Sequence, residues 1–282
     1  MSTIDQFEST FRSAIKPIYQ PKAFNMHKIL VITDLDNEQA NHFAAHLSLF
    51  FQGLDQTADL TLLSKEKSED LTTLSDLIDE HDPDLIATHR SLHAKKQGQM
   101  YILGDHIEIL TQITKQPILL FPHHSSWVDK DFQSPDRVMV LTDQLSAHPA
   151  LVDIALSIMQ TPGELTLAHI EDELIFDRYV NFISKIPEID TESAHTLIKE
   201  QMYKEAQDFF GVIDQALKSQ AIEVNVQGIF KMGHRLRSYV SIVSENEVEL
   251  VVIQGKDNDQ IAMHGLSYPL AIELSHLPLL IV

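Results

Sequence analysis

The residues of this chain best suited to chemistry follow short apolar strands. Asp34 closes KILVIT and Asp143 closes RVMVLT, which places each carboxylate at the carboxyl end of a buried strand, where open α/β sheets hold their ligands. Further on, ELVVI (249–253) is followed by Gly255, Lys256 and Gly265. Glycine lets backbone approach a ligand closely and take positive φ, and a helix starting just beyond it adds positive partial charge. Gly255 and Gly265 could thus cradle an anion with help from Lys256. Turn and helix-start duties account for the same two glycines and weigh more.

Fifteen histidines raise the question of metal. His42/His46 and His89/His93 have the spacing of two imidazoles on one helical face. Neither pair has a carboxylate companion of the H-E-x-x-H kind, so both read as exposed polar side chains and no metal ligand is assigned. The neighbours His123 and His124 project differently. His169 ends a strand near the expected position of Asp143, its ring satisfied by backbone groups. Ser125 and Ser126 have neither a G-x-S-x-G elbow nor a placed acid. With no P-loop and no G-x-G-x-x-G either, no catalytic residue is assigned, and an enzyme is not required.

The elements that must position these residues alternate in type. Residues 28–33, 60–63, 84–88 and 117–121 read as strands, separated by helices carrying Ala40, Phe43, Ala44, Leu47 and Phe51, then Leu71, Leu74, Leu77 and Ile78, then Ile107, Leu110 and Ile113. The pattern restarts with strand 137–142, helix 147–160 and strand 164–170. It closes with strand 222–230, helix 234–245, strand 248–253, helix 266–276 and strand 278–282. Such alternation implies parallel β-α-β crossovers. DLIATH…GDHIEILTQITKQPILLF (84–121) is echoed by ELVVIQG…GLSYPLAIELSHLPLLIV (249–282), an internal repeat. The first copy is shorter by one helix and one strand.

Residues 1–26 carry Ile4, Phe7, Phe11 and Ile15 at helical spacing and read as a docked helical extension. The division expected is 27–126 for the abbreviated unit, 127–136 for a polar linker and 137–282 for the fuller unit. An insert at 171–219 has Tyr179, Phe182 and Ile183 on one helix and Leu197, Met202, Ala206, Phe209, Ile213 and Leu217 on a longer one. Core packing is the expected role of these apolar residues, with a lid or a cavity for a small apolar ligand as the alternative.

At 282 residues, 44% hydrophobic and without cysteine, the chain excludes disulfides, thiolate metal sites and cysteine nucleophiles. A formal charge of −20 opposes nucleic acid and anionic lipid. Arg235 with Arg237 is the most compact basic patch, and solvation of a helix face explains it equally. No apolar run suits a membrane span and no secretory leader is evident, so the expected location is the cytoplasm.

The paired strand-aspartate openings and strand-glycine-helix-strand endings resemble those of tandem universal stress proteins. The resemblance rests on Asp34, Asp143, ELVVI, Gly265 and PLLIV (278–282), and covers about 27–122 and 137–282. It implies an α/β fold of two adenine nucleotide alpha hydrolase-like domains, each a parallel sheet sandwiched by helices. The last strands of the two would pair as an intramolecular pseudo-dimer. Relatives that bind ATP use the early aspartate near base and ribose, and a G-x2-G-x9-G-[S/T] loop for phosphates. Here Leu266 takes the hydroxyl position and Ser267 is displaced by one. His89-Arg90-Ser91-Leu92 replaces the early glycines of the first copy, and Asp105 stands where phosphate would be. The resemblance therefore implies a stress-response binding or regulatory protein with degenerate loops. ATP, if bound, would sit in the second unit at Asp143, Gly255, Gly265 and Ser267, and no other cofactor is expected. The alternatives are slow nucleotide hydrolysis there and a ligand-free scaffold for an unidentified protein partner. Homodimerisation stays open.

Overall fold

Aliphatic and β-branched side chains on both faces mark strands covered by helices on two sides. The computed structural model describes residues 19–51, 58–94, 103–123, 133–142, 148–255, 263 and 265–282. The helical reading of residues 1–18 and most of the expected linker, with His124, Ser125 and Ser126, lie outside them.

β1 (Lys28–Ile32) leads to α1 (Asn37–Phe50), whose first turn is capped by the Asp36 carboxylate accepting from the Gln39 amide. β2 (Asp59–Leu63) follows, then α2 (Lys65–Glu69) and α3 (Leu71–His81) where one helix was expected. The break between them is Asp70, which caps α3 through the Thr73 amide. β3 (Leu85–His89), α4 (Asp105–Ile113) and β4 (Ile118–Phe121) complete the first run.

The second run has β5 (Arg137–Leu141), α5 (Pro149–Ile158), β6 (Gly163–Asp172), α6 (Glu173–Ile183) and α7 (Thr191–Ser219). It ends with β7 (Val224–Gly233), α8 (Arg235–Glu245), β8 (Leu250–Ile253), α9 (Ser267–Glu273) and β9 (Leu279–Ile281).

Among the described residues, nine strands form one sheet in the order β2-β1-β3-β4-β9-β8-β5-β6-β7. Every pairing is parallel except β4 with β9, which meet antiparallel with Leu119 opposite Leu280. The expected pairing of the two closing strands is therefore present and leaves neither as an open edge. The sheet is two parallel runs joined at that seam, and the first has no counterpart of β7 outside β2 among the described residues.

Alternate strand residues feed two cores. Val31, Val140 and Val252 pack with α1, α5 and α7 residues such as Phe43, Ile154 and Phe209. Leu30, Met139 and Val251 pack on the other face with α3, α4, α8 and α9 residues such as Leu74, Leu110, Tyr239 and Leu270. Helices leaving β1 and β3, and those leaving β5 and β8, thus take opposite faces. That opens a crevice at the carboxyl ends of each strand pair.

The two runs share a device at the opposite end of the sheet. The Asp84 carboxylate accepts from the amides of His27 and Lys28 at 2.8 and 2.9 Å. Glu249 does the same for Asp136 and Arg137 at 2.9 and 3.4 Å. The chain before β1 crosses to the second run, where Tyr19 donates to the Asp153 carboxylate of α5 at 2.7 Å and the Phe24 amide to Ser157 Oγ at 3.0 Å. Burial and Asp153 together push the Tyr19 phenol up.

The insert departs from the expected packing. Ala206, Phe209, Ile213 and Leu217 of α7 are buried, but Leu197 is 63% exposed. On α6 only Phe176 is buried, while Leu174 (74%), Tyr179 and Phe182 (53%) face outward. The apolar stripe exists, yet most of it is left exposed. Among the described residues, no helix is long and apolar enough to cross a membrane.

Candidate functional site

In the second run the crevice between β5 and β8 contains a cleft of about 110 Å³, room for about four waters at their liquid volume. Thr142 and Gln254, the residues just past the two strands, form its floor, with Arg235, Tyr239, Gly265 and Ser267 around it. Tyr239 comes from α8 and its hydroxyl accepts from the Ile170 amide while donating to the Thr142 carbonyl, both at 3.1 Å. Arg235 donates from Nε to the Ile170 carbonyl at 3.1 Å. It therefore lines the cleft rather than solvating an exposed helix face. Ser267 Oγ donates to the Gln254 carbonyl.

The candidate residues fare differently. Ser267 and Gly265 reach the cleft together, whereas Asp143 and Lys256 lie outside the described residues, Asp143 directly after Thr142 in the chain. Gly265 has φ +54° and no atom within 4 Å of where a Cβ would stand. Its requirement is the backbone angle. Gly255 does not line the cleft. A Cβ there would lie 2.3 Å from Ile281 Cγ2, and its amide donates to the Val282 carbonyl at 2.7 Å. This glycine exists to let β9 pass. His169 is held by the Thr142 carbonyl at 3.3 Å and the Glu171 carboxylate at 2.8 Å, so a side chain as well as backbone satisfies it.

In the first run the described side chains past the strand ends bond to one another. Asp34, after β1, accepts from the His93 amide at 2.9 Å and stands 3.3 Å from His89 Nε2, which also meets Thr33 Oγ1 at 2.9 Å. Burial pushes the Asp34 carboxyl up, but the hydrogen bond and charge of His89, with the His93 amide, hold it at about 2. His93 is bonded to Ser68 Oγ at 2.8 Å and its ring lies 4.6 Å from that of His106. Burial first, then His106, pulls its pKa down. Burial and the charge of His89 do the same to His123. His89 is 2% exposed and sits at a strand end, so His89/His93 is neither a helical pair nor an exposed one. Asp105, as expected, occupies the first turn of α4.

Arg90 is the residue that sequence reasoning missed. Its amide donates to the Phe121 carbonyl at 3.0 Å as that of Gly255 does to Val282, so it occupies the position in the first run that Gly255 holds in the second. Its buried guanidinium crosses the seam to the last carbonyls of α9, Ala271 and, at 3.3 Å, Leu274. A cation at a helix carboxyl end is favourable. Burial lowers its pKa to about 10, so the charge persists at neutral pH. Tyr268 of α9 adds a second cross-seam bond, donating to Glu108 at 2.8 Å. The only sequence signal was an arginine where a glycine belongs.

No family model matches this chain, and no curated protein matches it in sequence. Solved structures do. A universal stress protein from Archaeoglobus fulgidus superposes with a TM-score of 0.55 over 92% of this chain and 97% of its own, at 15% identity. A putative universal stress protein from Pseudomonas aeruginosa UCBPP-PA14 gives 0.54 over 91% and 93%, at 11%. A functionally unknown protein from Pseudomonas aeruginosa PAO1 gives 0.53 over 91% and 92%, also at 11%. The chain has the α/β fold of the universal stress proteins, a mostly parallel sheet flanked by helices. At these identities the likeness speaks for the fold alone.

Proposed function

We propose that the chain is a tandem pair of universal stress protein units acting as a stress-response binding protein, with one ligand crevice, in the second unit. The observation that carries this reading is the contrast between the two crevices: among the described residues, Asp34 in the first is engaged by His89 and the His93 amide, while the second keeps a cleft with an arginine on its wall. The carboxylate forks of Asp84 and Glu249 support the duplication. In this reading the anionic group of an adenine nucleotide approaches Arg235, Gly265 and Ser267, and Asp143 orients the nucleoside. The cleft by itself is smaller than the roughly 300 Å³ usual for a small-molecule pocket.

Calorimetry with ATP and magnesium checks it. Wild type is expected to bind, and Arg235→Ala and Asp143→Ala to bind at least tenfold more weakly. Equal, negligible heats for all three would remove the nucleotide from the proposal. A second reading, a scaffold for a protein partner, is supported by the outward apolar face of α6 at Leu174, Tyr179 and Phe182. It leads one to expect partner capture that needs no nucleotide and is lost in Leu174→Asp/Phe182→Asp.

A further inference from the structure

We infer that His42 and His46 form a two-imidazole site for a divalent transition-metal ion on α1. The two residues stand one turn apart on the helix, and their Nε2 atoms converge to 3.1 Å. The ring centroids are 4.2 Å apart with planes inclined at 56°. Zinc–imidazole bonds are about 2.0–2.1 Å long, so nitrogens at this separation subtend roughly 95–102° at a shared ion. That angle lies between the cis angle of square or octahedral coordination and the tetrahedral one. The site requires each ring to turn its Nε2 lone pair to one ion and to carry its hydrogen on Nδ1.

Without an ion, the same approach forces opposite tautomers, one Nε2 donating and the other accepting. A metal removes that asymmetry. His46 is 9% exposed, and Phe43, Leu47 and Phe50 of the same helix seat this side of α1 in the core. One ligand is therefore preset by packing, and the exposed His42 closes on it from the solvent side. Among the described residues no group of three or more His, Asp or Glu gathers to hold a metal. Water thus completes the shell, and binding is of modest strength. Glu38, one turn before His42 on the same row of α1, adds negative charge beside the ion. Two neutral nitrogens and no thiolate select zinc, nickel or copper over magnesium and calcium. Because ligating imidazoles must be unprotonated, binding weakens as pH falls.

The test is titration of the full chain with Zn²⁺ at pH 7.5, by calorimetry and by ¹⁵N–¹H spectra of the histidine rings. Wild type is expected to bind one zinc more than His42→Ala, with the Nε2 resonances of His42 and His46 shifting together and Mg²⁺ causing no change. His42 is exposed, so its replacement leaves the fold intact, and unchanged circular dichroism verifies that. His46→Gln, which keeps a polar side chain at the inner position, should lose the same equivalent. Equal zinc stoichiometry and affinity in wild type and His42→Ala, or ring shifts confined to other histidines, would overturn the site and leave a hydrogen-bonded pair.

Discussion

Replacing Arg90 by Met is the most direct probe of how the two runs are joined. Arg90 is 6% exposed and its guanidinium supplies two hydrogen bonds to the carboxyl end of α9, at Ala271 and Leu274. Hydrogen bonds from charged donors contribute about 1.5–3 kcal/mol each. Against them stands the desolvation of the cation, which the lowered pKa of about 10 records, and a buried Nε without a hydrogen-bond partner. Met fills much of the volume and removes that desolvation, but takes the charged donor from both carbonyls and leaves Leu274 only the long bond from the Leu277 amide at 3.5 Å. The balance is a loss of about 3 kcal/mol, since orphaned buried acceptors cost about 1–3 kcal/mol each. For a chain of 282 residues that lowers Tm by about 5 °C. Urea unfolding should show an earlier midpoint with an unchanged slope. Hydrogen exchange should quicken in α9 and at the β4–β9 seam while α1 and β1 stay protected. Arg90→Lys should fall between, because one ammonium cannot span both carbonyls. A Met variant as stable as wild type would show that desolvation dominates and that the cap does not hold the seam.

Two further predictions concern the crevices. The folded pKa of Asp34, about 2, lies below its ordinary 3.8, so its contribution is complete above about pH 4 and is lost as pH falls toward 2. After discounting for its partial exposure, Asp34→Asn should cost about 1–2 kcal/mol at neutral pH, with the gap to wild type closing in acid; a gap independent of pH would refute the assignment. Gly255→Ala forces a Cβ against Ile281 and should cost about 1–3 kcal/mol through overpacking. Gly265→Ala meets open space and carries only the left-handed backbone cost of about 1 kcal/mol, so urea midpoints ranking Gly265→Ala below Gly255→Ala would contradict this division of roles.

The strands, the helices and their alternation were legible in the sequence because two-sided burial requires continuous runs such as KILVI and LVVI, and one-sided burial requires helical stripes such as Leu74 and Ile78. The repeat marked 117–121 and 278–282 as the closing strands, and the family resemblance implied that they pair. The repeat also located the crevices, because strand ends follow from strand positions. Side-chain partnership across distant segments was not legible. Gly255 and Gly265 look alike as letters, yet one is required by the approach of Ile281 and the other by its φ. Arg90 looked like a degraded loop and is a cross-seam cap. The stripe on α6 has the period of a buried helix and faces outward, because periodicity shows that a face is apolar and only packing decides what covers it. His42 and His46 were placed on one face by spacing, but the 3.1 Å approach of their nitrogens depends on how the core seats α1 and turns His46 inward.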